Sequence, residues 1–234
     1  MSHHFLRFTD VHYTYPNGYE ALKGVDFFIS HGEKVALLGL NGAGKSTVLL
    51  HTNGLLLPTS GEVNVGGIPV TKKTLRTVRQ SVGMVFQNAD DQLFMSTVEE
   101  DVAFGPLNMG LEGEEVERRV SVALEMVGAS DLRSRSPFRL SGGQKKRVAI
   151  ATVLSMEPSI LVMDEPTSEL DLEARRQVCD IVRAFHHTCL IATHDMALAR
   201  ELCERAIIIT DGRVTADGPV DEITAQFEKT VAHN

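Results

Sequence analysis

Lys34-Val-Ala-Leu-Leu38-Gly39-Leu-Asn41-Gly42-Ala43-Gly44-Lys45-Ser46-Thr47-Val-Leu-Leu-His51 is the stretch that decides the fold. Lys34–Leu38 is a short apolar run with strand character, and Lys45–His51 is patterned as a helix. Between them, Gly39 to Ser46 follows the phosphate-binding pattern Gly-x-x-x-x-Gly-Lys-Ser in its required strand-loop-helix context. Glycines let successive backbone N–H groups curl around phosphate oxygens, and the next helix offers unpaired N–H groups and the positive end of its dipole. Lys45 is the candidate to reach the β- and γ-phosphates and Ser46 the candidate Mg²⁺ ligand. Asn41, Gly42, Ala43, Gly44 and Thr47 complete the predicted cradle.

Outward from this loop, apolar β-rich runs recur at Phe5–Tyr13, Glu62–Val65, Val82–Phe86, Ile160–Asp164, Cys189–Thr193 and Arg205–Thr210. Several are continuous rather than alternating, as in strands buried on both faces. Helical patterns at Leu172–His186 and Met196–Leu202 lie between them, so the fold class is α/β around a mostly parallel sheet. Residues from about Thr97 to Leu154 break that rhythm. Glu114–Val127 and Gly142–Leu154 are helix-like with no strand between them, which predicts a helical lobe. Tyr13, Tyr15, the turn Pro16-Asn17-Gly18 and then Ala21–Ile29 predict an antiparallel β element beside the parallel core. The organisation expected is a single domain over 1–234, with 1–88 and 158–234 forming the core and 89–157 the helical subdomain.

The 234 residues are 43% hydrophobic and 23% charged, ordinary globular usage that supports a sizeable core. Lys plus Arg less Asp plus Glu gives 23 − 31 = −8, a field that repels polyanions, so nucleic-acid binding is not expected. Cys179, Cys189 and Cys203 lack Cys-x-x-Cys spacing and are odd in number, which argues for a reducing, cytosolic compartment. No apolar run approaches the ~20 residues of a membrane helix, and the start lacks a signal-peptide core. Work at a membrane would therefore require partners that span it. The pairs His3-His4 and His186-His187 are read as solvated or packed rather than as metal ligands, the latter because neighbours on a helix point about 100° apart. Arg133, Arg135, Arg139, Lys145, Lys146 and Arg147 are read as solvated lobe surface.

Ser159-Ile-Leu-Val-Met-Asp164-Glu165-Pro166 is a buried-strand pattern ending in two adjacent acids. Carboxylates at a strand's C-terminal edge are costly unless a cation or donors face them. With a nucleotide present, Asp164 would hold Mg²⁺ through water, and Glu165 would polarise the water attacking the γ-phosphate.

Between these motifs lies Leu140-Ser141-Gly142-Gly143-Gln144-Lys145-Lys146-Arg147, and here the chain resembles the ATP-binding cassette (ABC) ATPases. Their signature is Leu-Ser-Gly-Gly-Gln at a helix start. The resemblance implies a P-loop NTPase (RecA-like) core with an antiparallel β subdomain and a helical signature-motif subdomain. It implies ATP and Mg²⁺ as nucleotide and cofactor. Ser141, Gly142 and Gly143 would face the phosphate of ATP held by the other subunit of a dimer, a homodimer or, alternatively, a heterodimer. Gln87 matches the glutamine that touches Mg²⁺ and the attacking water, and His194 the histidine that senses the γ-phosphate. Tyr15 resembles the aromatic that stacks on adenine, with Tyr13 its rival. Ser168-Glu169-Leu170-Asp171 resembles the family's D-loop, with Glu169 where a small residue is usual.

Gln87–Phe94 followed by Thr97–Pro106 is similar to the ATPases of energy-coupling factor (ECF) importers, which drive vitamin or transition-metal uptake. That resemblance implies an integral transmembrane scaffold docking near Gln87, Leu93, Phe94 and Phe104, a substrate-binding membrane protein, and a peripheral place on the cytoplasmic face of the membrane. The short stretch after Gly218 points toward a cobalt or nickel system, with vitamin uptake or another ABC transporter type as alternatives. A non-transport ABC ATPase would normally carry two cassettes or a long coiled-coil insertion, whereas one P-loop and no sustained heptads are present.

Overall fold

The computed structural model describes residues 5–231; the His3-His4 pair lies outside them. The described strands are β1 (Leu6–Thr14), β2 (Glu20–Ile29), β3 (Lys34–Leu38), β4 (Ser60–Val65), β5 (Ile68–Pro69), β6 (Val82–Val85), β7 (Ile160–Asp164), β8 (Thr188–Thr193), β9 (Arg205–Thr210) and β10 (Arg213–Pro219). The helices are α1 (Lys45–Thr52), α2 (Leu75–Ser81), α3 (Val98–Asn108), α4 (Glu114–Met126), α5 (Gly142–Leu154), α6 (Leu172–Ala184), α7 (Met196–Leu202) and α8 (Val220–Val231). The chain divides into two compact units. One takes in the described residues of Met1–Val82, Ser159–Asp164 and His186–Asn234, the other Gly83–Pro158 and Glu165–Phe185.

In the first unit β3 runs parallel to β8 and β9, β7 runs parallel to β8, and β10 closes antiparallel on β9. Val35 to Leu38, Ile160 to Met163 and the whole of β8 are buried, which is why these strands read as unbroken apolar runs. The register sets Leu38 opposite Thr193 and Asp164 opposite Ala192. Three neighbouring strands therefore end level with one another, and the chain leaves all three at one edge. A second sheet, in the order β2-β1-β4-β5, is antiparallel, as the turn at Pro16-Asn17-Gly18 predicts. Helix α1 packs against β7 and β8 and also reaches β2 and β4; α7 and α8 pack on β3, β8, β9 and β10.

In the second unit α3, α4 and α5 pack together, and α6 packs on α5. Thr97 and Glu100 form a capping box at the start of α3, and Ser155 at the end of α5 donates to the Val102 carbonyl at 2.8 Å. Arg133 bridges Glu99 at 2.7 Å and Glu117 at 2.5 Å. Arg118, then Arg119, pulls the Glu115 carboxyl down to about 2.

The structure departs from the sequence reading in several places. Helix α3 is additional, hidden by Gly105 and Pro106, although its capping box is legible at Thr97-x-x-Glu100. Helix α2 and strand β10 are additional too, one short and polar, the other an alternating strand containing Gly218. The strand expected through Phe86 stops at Val85, since the Phe86 N–H bonds the Gln92 side chain at 3.2 Å. Helix α6 stops at Ala184, so His186 and His187 are not on a helix, and the His187 ring lies 6.1 Å from that of His31. Glu165–Phe185 groups with the second unit, whereas the sequence reading kept 158–234 in the core. The basic cluster is largely engaged rather than solvated. Arg133 is paired with acids, Lys145 with Asp90 at 2.6 Å, Arg147 bonds the Val127 and Gly128 carbonyls, and buried Lys146 bonds the Phe86 and Gln87 carbonyls, because each lies within reach of an acid or a main-chain carbonyl.

Arg205 ties the two sheets of the first unit. Its Nε and Nη2 donate to both carboxylate oxygens of Asp217 at 2.6 and 2.7 Å, and its Nη1 to Glu33 at 3.0 Å and the Phe28 carbonyl at 2.9 Å. Asp217 first, then Glu33, hold the guanidinium above its ordinary pKa. Arg205→Met should lower unfolding free energy by about 2 kcal/mol, the range of hydrogen bonds to charged groups. Equilibrium denaturation checks this, and an unchanged midpoint would show the fork to be decorative.

Candidate functional site

The phosphate-binding loop leaves β3 at Gly39, where an added Cβ would lie 2.6 Å from the Ile209 carbonyl oxygen. Lys45 is buried and donates to the Gly39 and Leu40 carbonyls at 2.8 and 3.3 Å, closing the loop across its base. Gly44 caps α1 at φ 109°, in the left-handed region, with a Cβ position 3.0 Å from the Ala21 carbonyl. No side chain caps α1 and no acid sits in its first turn, so its opening N–H groups and positive dipole end face the loop. This is an anion cradle.

Thr47 anchors the cradle to the first strands. Its hydroxyl meets the Tyr15 hydroxyl at 3.0 Å, and its carbonyl accepts from His51 Nδ1 at 2.7 Å. The Tyr13 ring stands edge-on to both His51 and Tyr15 at 4.9 Å, so Tyr13 packs within the cluster while Tyr15 meets the loop. Tyr19 is a residue that sequence reasoning missed. It is 54% exposed, lies nearly parallel to Tyr15 at 6.4 Å, and directs its hydroxyl to the Gly42 carbonyl at 3.4 Å. The signal was present: Pro16-Asn17-Gly18 reverses the chain between the two tyrosines, and Tyr15 N–H bonds the Tyr19 carbonyl at 2.8 Å.

Asp164 ends β7 and is buried; His194 comes directly after β8 and is exposed. The first unit thus brings the loop Asn41–Thr47, Asp164 and His194 to one sheet edge and sets Tyr15 on the loop. Gln87, Ser141–Gly143 and Glu165 belong to the second unit.

Glu165 is buried with φ 43°, a left-handed conformation that costs a non-glycine residue about 1–3 kcal/mol. Its carbonyl accepts the Ser168 N–H at 3.2 Å and the Ser168 hydroxyl at 3.0 Å. Glu169 is also left-handed, at φ 62°, and Asp171 caps α6 through the Ala174 N–H at 2.8 Å. Ser141 caps α5 in a reciprocal box with Gln144, 3.3 and 3.0 Å, leaving its hydroxyl proton available to an anion. An added Cβ at Gly143 would sit 2.6 Å from Ala174 Cβ, so the helix start needs glycine there.

The residues expected to receive the membrane scaffold divide. Phe94 is 56% and Phe104 42% exposed, their rings edge-to-face at 5.0 Å. Leu93 is 3% exposed and is no surface residue, because the turn Ala89–Asp91 directs it inward and its N–H bonds the Ala89 carbonyl at 3.1 Å. Asp101, also missed, accepts the Phe94 and Met95 N–H groups at 3.1 Å and so holds the aromatic outward; burial pushes its carboxyl pKa up.

The donor chemistry suits Mg·nucleotide. Mg²⁺ is ordinarily held by a few protein oxygens together with phosphates, and the Ser46 hydroxyl, exposed at the start of α1, with the Asp164 carboxylate is such a set. Gly42, at φ 80° with nothing within 4 Å of its Cβ position, leaves the concavity open.

The chain is similar to known proteins over most of its length. The family model described as ABC transporter matches residues 22–168. A putative ABC transporter ATP-binding protein of Geobacter sulfurreducens is 59% identical over 97% of this chain and 92% of its own length. The energy-coupling factor transporter ATP-binding protein EcfA1 of Methanospirillum hungatei is 48% identical over 95% of this chain and 82% of its own. The solved structure of cbiO1 from Clostridium perfringens, part of the ABC transporter complex cbiONQ, superposes with a TM-score of 0.85 at 39% identity, covering 95% of this chain and 91% of that one.

His51 supplies a pH test of the cluster under the loop. Burial, opposed by the Thr47 and Leu57 carbonyls, holds its pKa below 6.5. The unfolded chain then takes up the proton at higher pH than the folded one. The contribution is complete above 6.5 and is lost as pH falls through the folded value. The denaturation midpoint should drop between about pH 7.5 and 5.5, and His51→Gln should flatten that slope. An equal slope in the variant would assign it to another group.

Proposed function

Since the chain belongs to the ABC transporter family, as an ATP-binding subunit that hydrolyses ATP, we propose that it powers a membrane importer of the ECF type, with cobalt or nickel ions as cargo. The observation that carries this reading is the near full-length likeness to EcfA1 and cbiO1, supported by the exposed, mutually packed Phe94 and Phe104. No described helix is long and apolar enough to cross a membrane, so the reading calls for an integral scaffold and a substrate-binding membrane protein as partners. Phe94 and Phe104 would receive a helix of that scaffold, and the chain would sit on the cytoplasmic face as a homodimer.

In this reading the P-loop amides and Lys45 hold the β- and γ-phosphates, while Ser46 and Gln87, with Asp164 through water, would hold Mg²⁺. Bound Mg²⁺ neutralises charge that develops on the phosphate oxygens. Glu165 accepts a hydrogen bond from the attacking water at its carboxylate, and His194 orients the γ-phosphate. Tyr15 supports the adenine by stacking. Ser141, Gly142 and Gly143 of a second copy offer a hydroxyl and helix-start amides to the same phosphate. Such catalysis is positioning and charge stabilisation rather than covalent chemistry.

Glu165→Gln should bind ATP yet turn over at least about 100-fold more slowly, accumulating as a nucleotide-bound dimer in light-scattering chromatography. Monomeric elution with ATP, or undiminished hydrolysis, would remove Glu165 from this role. For the transport reading, the tagged chain should co-purify from gently solubilised native membranes with a multi-helix scaffold and a small membrane protein. Soluble partners in their place would leave the ATPase chemistry and remove the importer.

A further inference from the structure

We propose that Lys146 is the positioning residue for Gln87, a step that rests on the reading of Gln87 as a ligand of metal and attacking water. Lys146 lies on α5 and is 3% exposed. Its ammonium donates to the Gln87 carbonyl at 2.6 Å and to the Phe86 carbonyl at 3.2 Å. A buried ammonium is costly unless its donors are used, and charge-assisted bonds to carbonyls are roughly twice as strong as neutral ones. These two bonds fix the main chain on which the exposed Gln87 side chain is carried.

Two further ties bind the same loop to the same helix. Gln92 donates to the Ala149 carbonyl and to the Thr152 hydroxyl, both at 2.8 Å, while its side-chain oxygen accepts the Phe86 N–H at 3.2 Å. Lys145 pairs with Asp90 at 2.6 Å, although on an exposed surface such a pair contributes little. Gln92 and Lys145 secure the far side of the loop, whereas Lys146 acts at Gln87 itself. Helix α5 also presents Ser141, Gly142 and Gly143 at its start. The signature residues and Gln87 are thereby held to one rigid helix, and a shift of that helix carries Gln87 with it.

The test uses the purified full chain with Lys146→Met, which keeps volume and removes the donors, Lys146→Arg, which keeps charge and donors, Gln87→Ala and the double variant. Amide exchange over 87–91 should quicken about tenfold or more in Lys146→Met, with amides 39–47 unchanged. Its kcat should fall about 10- to 100-fold, while the ATP dissociation constant measured without Mg²⁺ stays within about twofold. Lys146→Arg should recover most of the rate. Lys146→Met added to Gln87→Ala should bring no further loss, since both act through one group. If Lys146→Met does not fold, Lys146→Gln, neutral with donors retained, carries the same comparisons with smaller changes expected.

A normal kcat in the Lys146 variants alongside an impaired Gln87→Ala would overturn the proposal. So would multiplying losses in the double variant, or a loss of ATP affinity matching the loss of rate. Undiminished kcat in Gln87→Ala is the separate signature that the reading of Gln87 has failed, and it would remove the positioning role with it.

Discussion

The parallel register of β3, β8 and β7 is the constraint on which the candidate site depends. Leu38 faces Thr193 and Asp164 faces Ala192, so the phosphate loop, the buried carboxylate and the residue before His194 end level at one edge. Burial on both faces enforces it, since each large aliphatic side chain withdrawn from water contributes about 1.5–3 kcal/mol. A slip by one residue would turn every side chain of a strand to the opposite face and separate the three ends. In open parallel sheets the C-terminal edge is where ligands are held, because backbone groups there are no longer used by the ladder.

The loops that leave β3 and β7 are built against local preference. Gly44 and Glu165 both adopt left-handed backbone, the first tolerably for glycine, the second at a cost that surrounding structure must offset. Lys45 closes its loop through the loop's own carbonyls, and Thr47 joins it to Tyr15 and His51, so the cradle is preorganised by bonds that leave the helix-start amides facing outward. Preorganised donors are what a phosphate site requires, since ordering them on binding would consume affinity.

The second unit relies on a different device, one helix that holds several loops. Helix α5 is capped by Ser141 with Gln144, fastens the Gln87 loop through Lys146 and Gln92, and ends on Ser155, which bonds α3. Asp101 on α3 in turn holds Phe94 outward. Lys146, Gln92 and Asp101 satisfy main-chain groups of irregular segments, and Ser155 satisfies the Val102 carbonyl, to which Pro106 has no N–H to donate.

The strand-loop-helix at Lys34–His51, the buried strands, the helices at Glu114 and Gly142, and the identity of the phosphate and signature motifs are all legible in the amino-acid order alone. Local spacing carries the elements and the phosphate loop, through hydrophobic periodicity, glycine positions and capping residues a few residues apart, while the signature motif is recognised by its resemblance to the ABC ATPases. Helix α3 and the inward turn of Leu93 were less legible, because Pro106 and an apolar residue next to exposed Phe94 give ambiguous local signals. The remaining features are products of three-dimensional packing. It made Lys146 a buried tether rather than a surface charge and brought the Tyr13 ring onto His51. The Lys146 bond to Gln87 spans 59 residues of chain, and the Tyr15 bond to Thr47 spans 32. Such partners leave no period or spacing in the sequence, since their proximity is created by packing of elements that are each specified locally.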